Sequence, residues 1–316
     1  VAQIKWHREL DRRLTSRQPI AFEVTKTKIA LYRPFTTKFL YFDRLTNSQS
    51  FRLHEIFQGE PNPTITFLGV ASTNPLAALS TSMVFDTCLL KNGNGSTQGA
   101  PRYRYTKSGE RVDNITDWAV NKFVAQYGKR GITKDAIFNY VYAVLHDPVY
   151  RESYELNLRR EFPRIPFHAD FARWAAWGKQ LMTMHIGFED VEPWPLERTD
   201  TISKKRAEGT YPKPVLRSVH EDGTIRIDSD TRIGGIPSSA WAYRLGNRSA
   251  IDWVLDQHKE KVARDPMIRE RFRSYRFSDH KEEMIDLLAR IVRVSVETVA
   301  IIQAMAALRS VDKKRD

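Results

Sequence analysis

Residues 138–167 read FNYVYAVLHDPVYRESYELNLRREFPRIPF, a stretch that predicts two helices followed by extended chain. Apolar residues recur at i, i+3, i+4 and i+7 on one helical face, and the stripe continues into the second helix: Ile137, Tyr140, Val141, Val144, Tyr150, Tyr154 and Leu158. Asp147 can cap the second helix, and Pro148 suits its first position, where a missing N–H costs nothing. Pro163 and Pro166 disfavour helical backbone in the residues before them, so the chain leaves the second helix extended.

The same stretch, with its Leu-His-x-Pro-x-Tyr-Arg and Phe-Pro-Arg-Ile-Pro strings, resembles the C-terminal specificity region of type ISP restriction-modification enzymes. Further islands match in the same order from about residue 30 to about residue 300: Leu31–Phe35, Leu40–Asp43, Pro101–Tyr105, Gly246–Trp253, Asp265–Pro266 and Val294–Thr298. The resemblance implies a target-recognition domain that belongs to a single polypeptide with nuclease, helicase-like ATPase and adenine methyltransferase domains.

Composition limits the class of protein. The chain has 316 residues, 41% of them hydrophobic, which is enough to form a core in one large domain or two lobes. A single cysteine excludes a disulfide framework and fits a reducing cytoplasm. No apolar run approaches the ~20 residues of a membrane span, so we expect no membrane partner. The first residue is Val, which favours a fragment or a processed chain. The net charge of +12 favours a polyanionic partner, although many basic proteins bind no nucleic acid.

The order of elements predicts an α+β fold rather than a doubly wound sheet. We expect a β-rich part over 1–110, a helical part over 111–190, a hairpin and loop part over 191–248 and C-terminal helices over 249–316, together one target-recognition unit. Asp222-Gly223 suits a type I′ turn, and Ser249 and Asp252 are spaced as a capping box at the start of a helix. The last helix is expected to break near Ser295. In the helix that begins near Phe171, Gly178 indicates close helix approach, and His185 on the same stripe is expected in the core.

Motifs for chemistry are missing from the sequence. Asn74-Pro75 is followed by Leu76 rather than by the proline and aromatic residue of an amino-methyltransferase loop. We find no phosphate-binding loop, no His-Glu-x-x-His and no histidine spacing typical of metal ligands. We therefore assign no catalytic residue, no metal site and no cofactor to this chain. The resemblance implies that S-adenosylmethionine, ATP and Mg serve the parent enzyme.

Basic residues in strands and loops are the candidate DNA contacts. The alternation Arg102-Tyr103-Arg104-Tyr105 followed by Lys107 predicts a strand with arginines on one face, either facing DNA or simply solvated. Two loops, 203–217 and 229–248, are our preferred specificity elements, because base readout needs adaptable side chains on a rigid support. Their candidate residues are Lys204, Lys205, Arg217, Arg232, Trp241, Arg244 and Arg248. Arg248 can bind a phosphate or pair with a carboxylate, and Arg164, between two prolines, is expected to hold the fold.

These observations predict a domain that recognises specific duplex DNA beside the methyltransferase domain of the same polypeptide and performs no chemistry itself. The alternative is a scaffolding or interaction domain of a helicase-like or phage-defence protein without base readout.

Overall fold

The computed structural model describes residues 8–312 except 18, 20, 48–49, 69–71, 91–96, 202–209 and 261–274. The helices are α1 Arg8–Thr15, α2 Leu53–Ile56, α3 Asp117–Tyr127, α4 Lys134–Val144, α5 Pro148–Ser153, α6 Glu155–Leu158, α7 Phe171–Ile186, α8 Ala250–Gln257 and α9 Lys281–Asp312. The strands are β1 Thr27–Arg33, β2 Thr36–Tyr41, β3 Thr64–Leu68, β4 Ala78–Thr81, β5 Val84–Phe85, β6 Thr97–Pro101, β7 Tyr103–Tyr105, β8 Arg111–Asp113, β9 Glu197–Asp200, β10 Pro214–Val219, β11 Thr224–Asp228, β12 Thr231–Gly234, β13 Arg244–Leu245 and β14 Arg248–Ser249.

The strands form small, mostly antiparallel sheets, with β1 and β5 as a parallel pair. The strand orders are β2-β1-β5, β4-β3-β6 and β10-β11-β12-β9, with two further pairs, β7-β8 and β13-β14. Helices cover these sheets without alternating regularly with parallel strands, so the fold is α+β, as predicted.

Two hydrophobic cores organise the described residues. The first core joins the β1 sheet, the four-stranded β9–β12 sheet, α8 and most of α9. The second core joins β3 and β4 to the helices α3 to α7 and to the end of α9. Both cores therefore draw on distant parts of the sequence, and the four-segment division of the chain remains a prediction about domains.

The helical stretch that opened the sequence analysis folds as predicted in its first helix and in the cap of the second. The second predicted helix is interrupted at Tyr154, which separates α5 from α6 and is 50% exposed instead of lying on the apolar stripe. Asp147 caps α5 by accepting a hydrogen bond from the backbone N–H of Val149, with Pro148 in the first turn. Gly178 of α7 lies directly against the backbone of α4, where an added Cβ would overlap the carbonyl of Asn139. His185 is a buried core histidine, as expected, because its ring hydrogen-bonds Tyr142 at 2.6 Å and Thr298 at 2.9 Å.

Two turn and helix predictions are wrong in detail. The β10–β11 hairpin forms, but Val219 pairs with Thr224, which leaves a four-residue loop rather than a two-residue turn. Gly223 has a φ of 61°, whereas Asp222 lacks the positive φ that a type I′ turn also requires. The predicted break near Ser295 is absent, since α9 continues from Lys281 to Asp312. The Ser295 hydroxyl donates to the carbonyl of Ile291 within this helix.

The last helix bears on the expectation that no apolar run is long enough to span a membrane. Residues 277–310 form a helical segment long and apolar enough to cross a membrane by length and composition alone. In the structure this helix packs into the domain, where Ile291, Val292 and Val294 are fully buried. Arg290 in the same helix donates to the carbonyl of Val191 at 2.6 Å, a contact that fixes the helix against the rest of the chain. The buried side of this helix therefore belongs to the first core.

Candidate functional site

Three arginines form a row across the four-stranded sheet. Arg217 of β10 pairs in register with Arg226 of β11, and Arg226 pairs with Arg232 of β12. All three residues are exposed. Residues directly opposite on neighbouring strands have Cβ atoms about 5 Å apart, so the three guanidinium groups share one face of the sheet. We call these residues the arginine row.

The arginine row is exposed because residues alternate along β11, so that the opposite face of the sheet carries the buried residues. Ile225, Ile227 and Ile233 are fully buried in the first core beneath the sheet. On β10, Leu216 has a φ of 45° and is also buried, and the strand register shifts between Pro214 and Arg217. This irregularity allows a buried leucine to stand next to an outward-facing arginine. The row is thus fixed on a rigid support.

The row carries little compensating negative charge of its own. Arg232 pairs with Asp222 at 2.9 Å and also donates to the hydroxyl of Thr224. Within the described ranges we find no ion pair for Arg217 or Arg226. Like charges at directly opposite strand positions destabilise a sheet, so this arrangement suits an external anion.

The loop that holds Trp241 packs against the end of β10. The Trp241 ring stacks on His220 with ring centroids 4.4 Å apart. Trp241 is only 7% exposed, so its ring supports the surface, and the half-exposed His220 covers it. The neighbouring Arg244 is exposed and donates to the backbone carbonyl of Asn247. Arg244 therefore keeps an exposed side chain, whereas the Trp241 ring is buried.

Arg248 holds the fold. Its guanidinium pairs with Asp256 at 2.9 Å and lies over the Trp253 ring at 5.3 Å. Ser249 caps α8 through the N–H of Asp252, as its sequence spacing predicted. Of the two readings that the sequence left open for Arg248, the geometry favours the carboxylate pair.

Arg102 lies inside the protein, contrary to the expectation that it shares a solvent face with Arg104. Its side chain is 7% exposed and hydrogen-bonds Asp113 at 2.5 Å and Asp135 at 2.6 Å. The hydrogen bond from Arg102 lowers the pKa of Asp113. Arg104 and Lys107, in contrast, are exposed on the β7–β8 hairpin.

Arg164 is also placed differently from expectation. Its side chain is 84% exposed and contacts only Glu161, three residues earlier, among the described residues. The backbone makes the structural contact instead, since the Tyr150 hydroxyl donates to the Arg164 carbonyl at 2.9 Å. Lys204 and Lys205 lie outside the described residues.

The family of the chain follows from comparison with known sequences and structures. The model of the Type ISP C-terminal specificity domain matches residues 1–287. The chain belongs to this family. The specificity domain is similar to part of the cryo-EM structure of the DrdV–DNA complex, with 45% sequence identity and a TM-score of 0.88 over 95% of this chain and 30% of that chain.

Two further solved structures are similar to this specificity domain. A nuclease-deletion mutant of the Type ISP enzyme LlaGI, in complex with a DNA substrate mimic, is 26% identical with a TM-score of 0.72 over 95% of this chain and 26% of that chain. The ATP-dependent Type ISP enzyme LlaBIII bound to DNA is 21% identical, with a TM-score of 0.75 over 96% of this chain and 20% of that chain. This similarity shows the shared fold. The specificity domain thus spans at most about a third of these chains, and no curated protein matches it.

Sequence reasoning missed one member of the arginine row. Arg226 lies in Thr224-Ile225-Arg226-Ile227-Asp228, whose strict alternation was a signal that Arg226 faces outward. Within the described part of the specificity domain, no group of three or more His, Cys, Asp or Glu side chains could hold a metal ion.

Proposed function

We propose that this specificity domain recognises duplex DNA for a single-polypeptide restriction-modification enzyme, with the arginine row as its phosphate-binding surface. The row carries the proposal, because three adjacent guanidinium groups on a rigid sheet favour a ligand with regularly spaced negative charges. Arg–phosphate contacts position a protein on DNA without reading the sequence. The similarity to two DNA-bound enzymes at 45% and 26% identity supports this function.

Base readout would come from elements beside the row. Arg244 follows a loop with Gly234 and Gly235, and its exposed side chain can donate two hydrogen bonds to a guanine edge. Arg104, Lys107, Lys204 and Lys205 remain candidates for further DNA contacts. Arg102 and Arg248 would instead hold the surrounding fold, and Trp241 would support His220.

The domain would do no chemistry itself. Methylation and ATP-dependent restriction, with S-adenosylmethionine, ATP and Mg as cofactors, would belong to other parts of the polypeptide. The methyltransferase domain would be the direct neighbour of this domain and would receive the flipped adenine. We place the enzyme in the cytoplasm, where its DNA substrate lies.

The salt dependence of DNA binding tests the role of the row. We compare Arg217→Ala/Arg226→Ala with the control Lys129→Ala/Arg130→Ala, which removes the same charge from an exposed turn between α3 and α4. Each lost phosphate contact reduces the slope of log affinity against log salt by about 1. Fluorescence anisotropy with a mixed-sequence duplex should show a slope shallower by about 2 for the row variant only.

Two results would argue against the proposal. A binding curve of the wild-type domain that does not respond to salt removes DNA as the ligand and leaves the scaffolding function. Equal changes of slope in the row variant and the control would show that general charge, rather than the row, attracts the duplex.

A further inference from the structure

The β1–β2 hairpin exposes an apolar surface that DNA recognition does not explain. Ile29 and Phe39 lie directly opposite each other in the antiparallel register, with side chains 55% and 83% exposed. Tyr41 lies two residues further along the same face, and Phe22, 65% exposed, stacks on it with ring centroids 5.2 Å apart. We call Phe22, Ile29, Phe39 and Tyr41 the hairpin patch.

The patch is preformed. The Tyr41 hydroxyl accepts a hydrogen bond from the N–H of Glu23 and donates to the carbonyl of Ala21, which holds the segment with Phe22 across β2. On β1, the apolar row continues inward from Ile29 to Leu31, which is only 2% exposed in the first core. The patch is therefore an outward extension of a core face, and contiguous exposed apolar surfaces of this kind mark protein contacts.

We propose that the hairpin patch is the docking surface for the part of the same polypeptide that precedes the specificity domain. The family description places this domain at the C-terminal end, and the similar solved chains are more than three times longer than the segment that matches. The polypeptide would thus join the domain at residue 1, on the N-terminal side of the patch. This proposal rests on membership of the family and does not require the arginine row to bind DNA.

Tethering favours this occupant over a second copy of the chain. Phe22 lies 21 residues after residue 1, so an upstream domain is held near the patch at high effective concentration. A second copy would have to give up translational and rotational freedom to occupy the same surface. A patch of four side chains is small for a stable dimer but sufficient to contribute to contact between linked domains.

Hydrogen exchange on the full-length polypeptide tests the proposal. The variant Ile29→Thr/Phe39→Thr removes two exposed apolar side chains and places at both positions threonine, a β-branched residue that suits a strand. The control Trp118→Gln/Leu156→Gln removes two equally exposed apolar side chains, 69% and 67%, from the helical region. We expect amide exchange over residues 36–41 of the full-length protein to be at least ten-fold faster in the patch variant and unchanged in the control.

The same measurement on residues 1–316 alone completes the design. There the patch variant and wild type should exchange alike, because the side chains are already exposed. Equal rates of amide exchange for wild-type residues 36–41 in the full-length and isolated forms would overturn the proposal. An equal increase of these rates by the patch variant in both forms would also overturn it. A dimer of the isolated chain in light scattering that Phe39→Thr dissolves would assign the patch to a second copy instead. Salt-dependent DNA binding of the isolated variant should match wild type, so either proposal can fail alone.

Discussion

Gly178→Ala tests the contact between α4 and α7 on which the second core depends. An added Cβ would overlap the carbonyl oxygen of Asn139 and lie 2.5 Å from its carbonyl carbon and 3.2 Å from the nitrogen of Ala143. These are backbone atoms, so no side-chain rotation can relieve the overlap. Non-bonded carbon atoms settle at about 3.5 Å or more, so the carbonyl carbon alone would move the two helices apart by roughly 1 Å. The nearer carbonyl oxygen requires a larger movement.

The expected loss of stability follows from opposing terms. Overpacking a core costs about 1–3 kcal/mol, and a backbone obstacle places this site at the upper end. Alanine gains about 1 kcal/mol over glycine in a helix interior. The net loss is about 2 kcal/mol. With an unfolding entropy of about 2.1 cal/mol/K per residue, this loss lowers the Tm of a two-state chain of this length by about 3 °C.

Thermal and urea melts measure the effect. Gly59→Ala is the matched control, because a Cβ at Gly59 would meet nothing within 4 Å. The control should melt like wild type or gain up to about 1 kcal/mol from a less flexible unfolded chain. If Gly178→Ala melts at or above the temperature of Gly59→Ala, the close helix approach does not limit packing and our account of the second core is wrong.

Two further predictions concern buried polar groups. Arg102→Met should lower the free energy of unfolding by about 1–3 kcal/mol in a urea melt, because the partly hydrated carboxylates of Asp113 and Asp135 lose their shared partner. The control Arg104→Met, at an exposed residue, should leave the melt unchanged. Equal losses in the two variants would contradict a structural role for Arg102. Burial lowers the pKa of His185 in the folded chain to about 3. In the unfolded chain the pKa of this histidine is about 6.5, so between pH 7 and pH 5 only the unfolded chain takes up a proton there. This uptake lowers the free energy of unfolding by on the order of 2 kcal/mol between pH 7 and pH 5. His185→Gln cannot titrate and should flatten that pH dependence by the same amount, whereas an unchanged pH profile would show that His185 is protonated in the folded state.

Local signals in the sequence predicted local structure well. The Asp147 cap, the Ser249 cap and the small residue at Gly178 each depend on neighbours within a few positions or on one helix face. The chemistry of a capping oxygen or a missing Cβ is the same in any fold, and for this reason the prediction could be made without knowledge of the partners.

Predictions failed where a residue's role depends on distant partners. The alternation around Arg102 predicted a solvent face shared with Arg104, but Asp113 and Asp135, 11 and 33 positions away, decide that the Arg102 side chain is buried and paired. The prediction for Arg164 was wrong in the opposite sense. Its position between prolines suggested a side chain that holds the fold, but its backbone carbonyl makes the structural contact, with the Tyr150 hydroxyl. The arginine row likewise needs the register of three strands, which no single strand pattern contains.

In the function that we propose, the row would supply affinity for DNA and the flanking loops would supply specificity. The row stands on a sheet whose opposite face is locked into the first core by Ile225, Ile227 and Ile233, so its charges keep a fixed spacing. Such a surface suits a phosphate backbone, which repeats identically whatever the base sequence. Arg244, in contrast, extends from a short β13–β14 hairpin beside the sheet, where exchange of one side chain leaves the core and the row intact. We therefore expect substitutions in the hairpin to change which duplex is preferred at constant salt slope, and substitutions in the row to change the slope at constant preference.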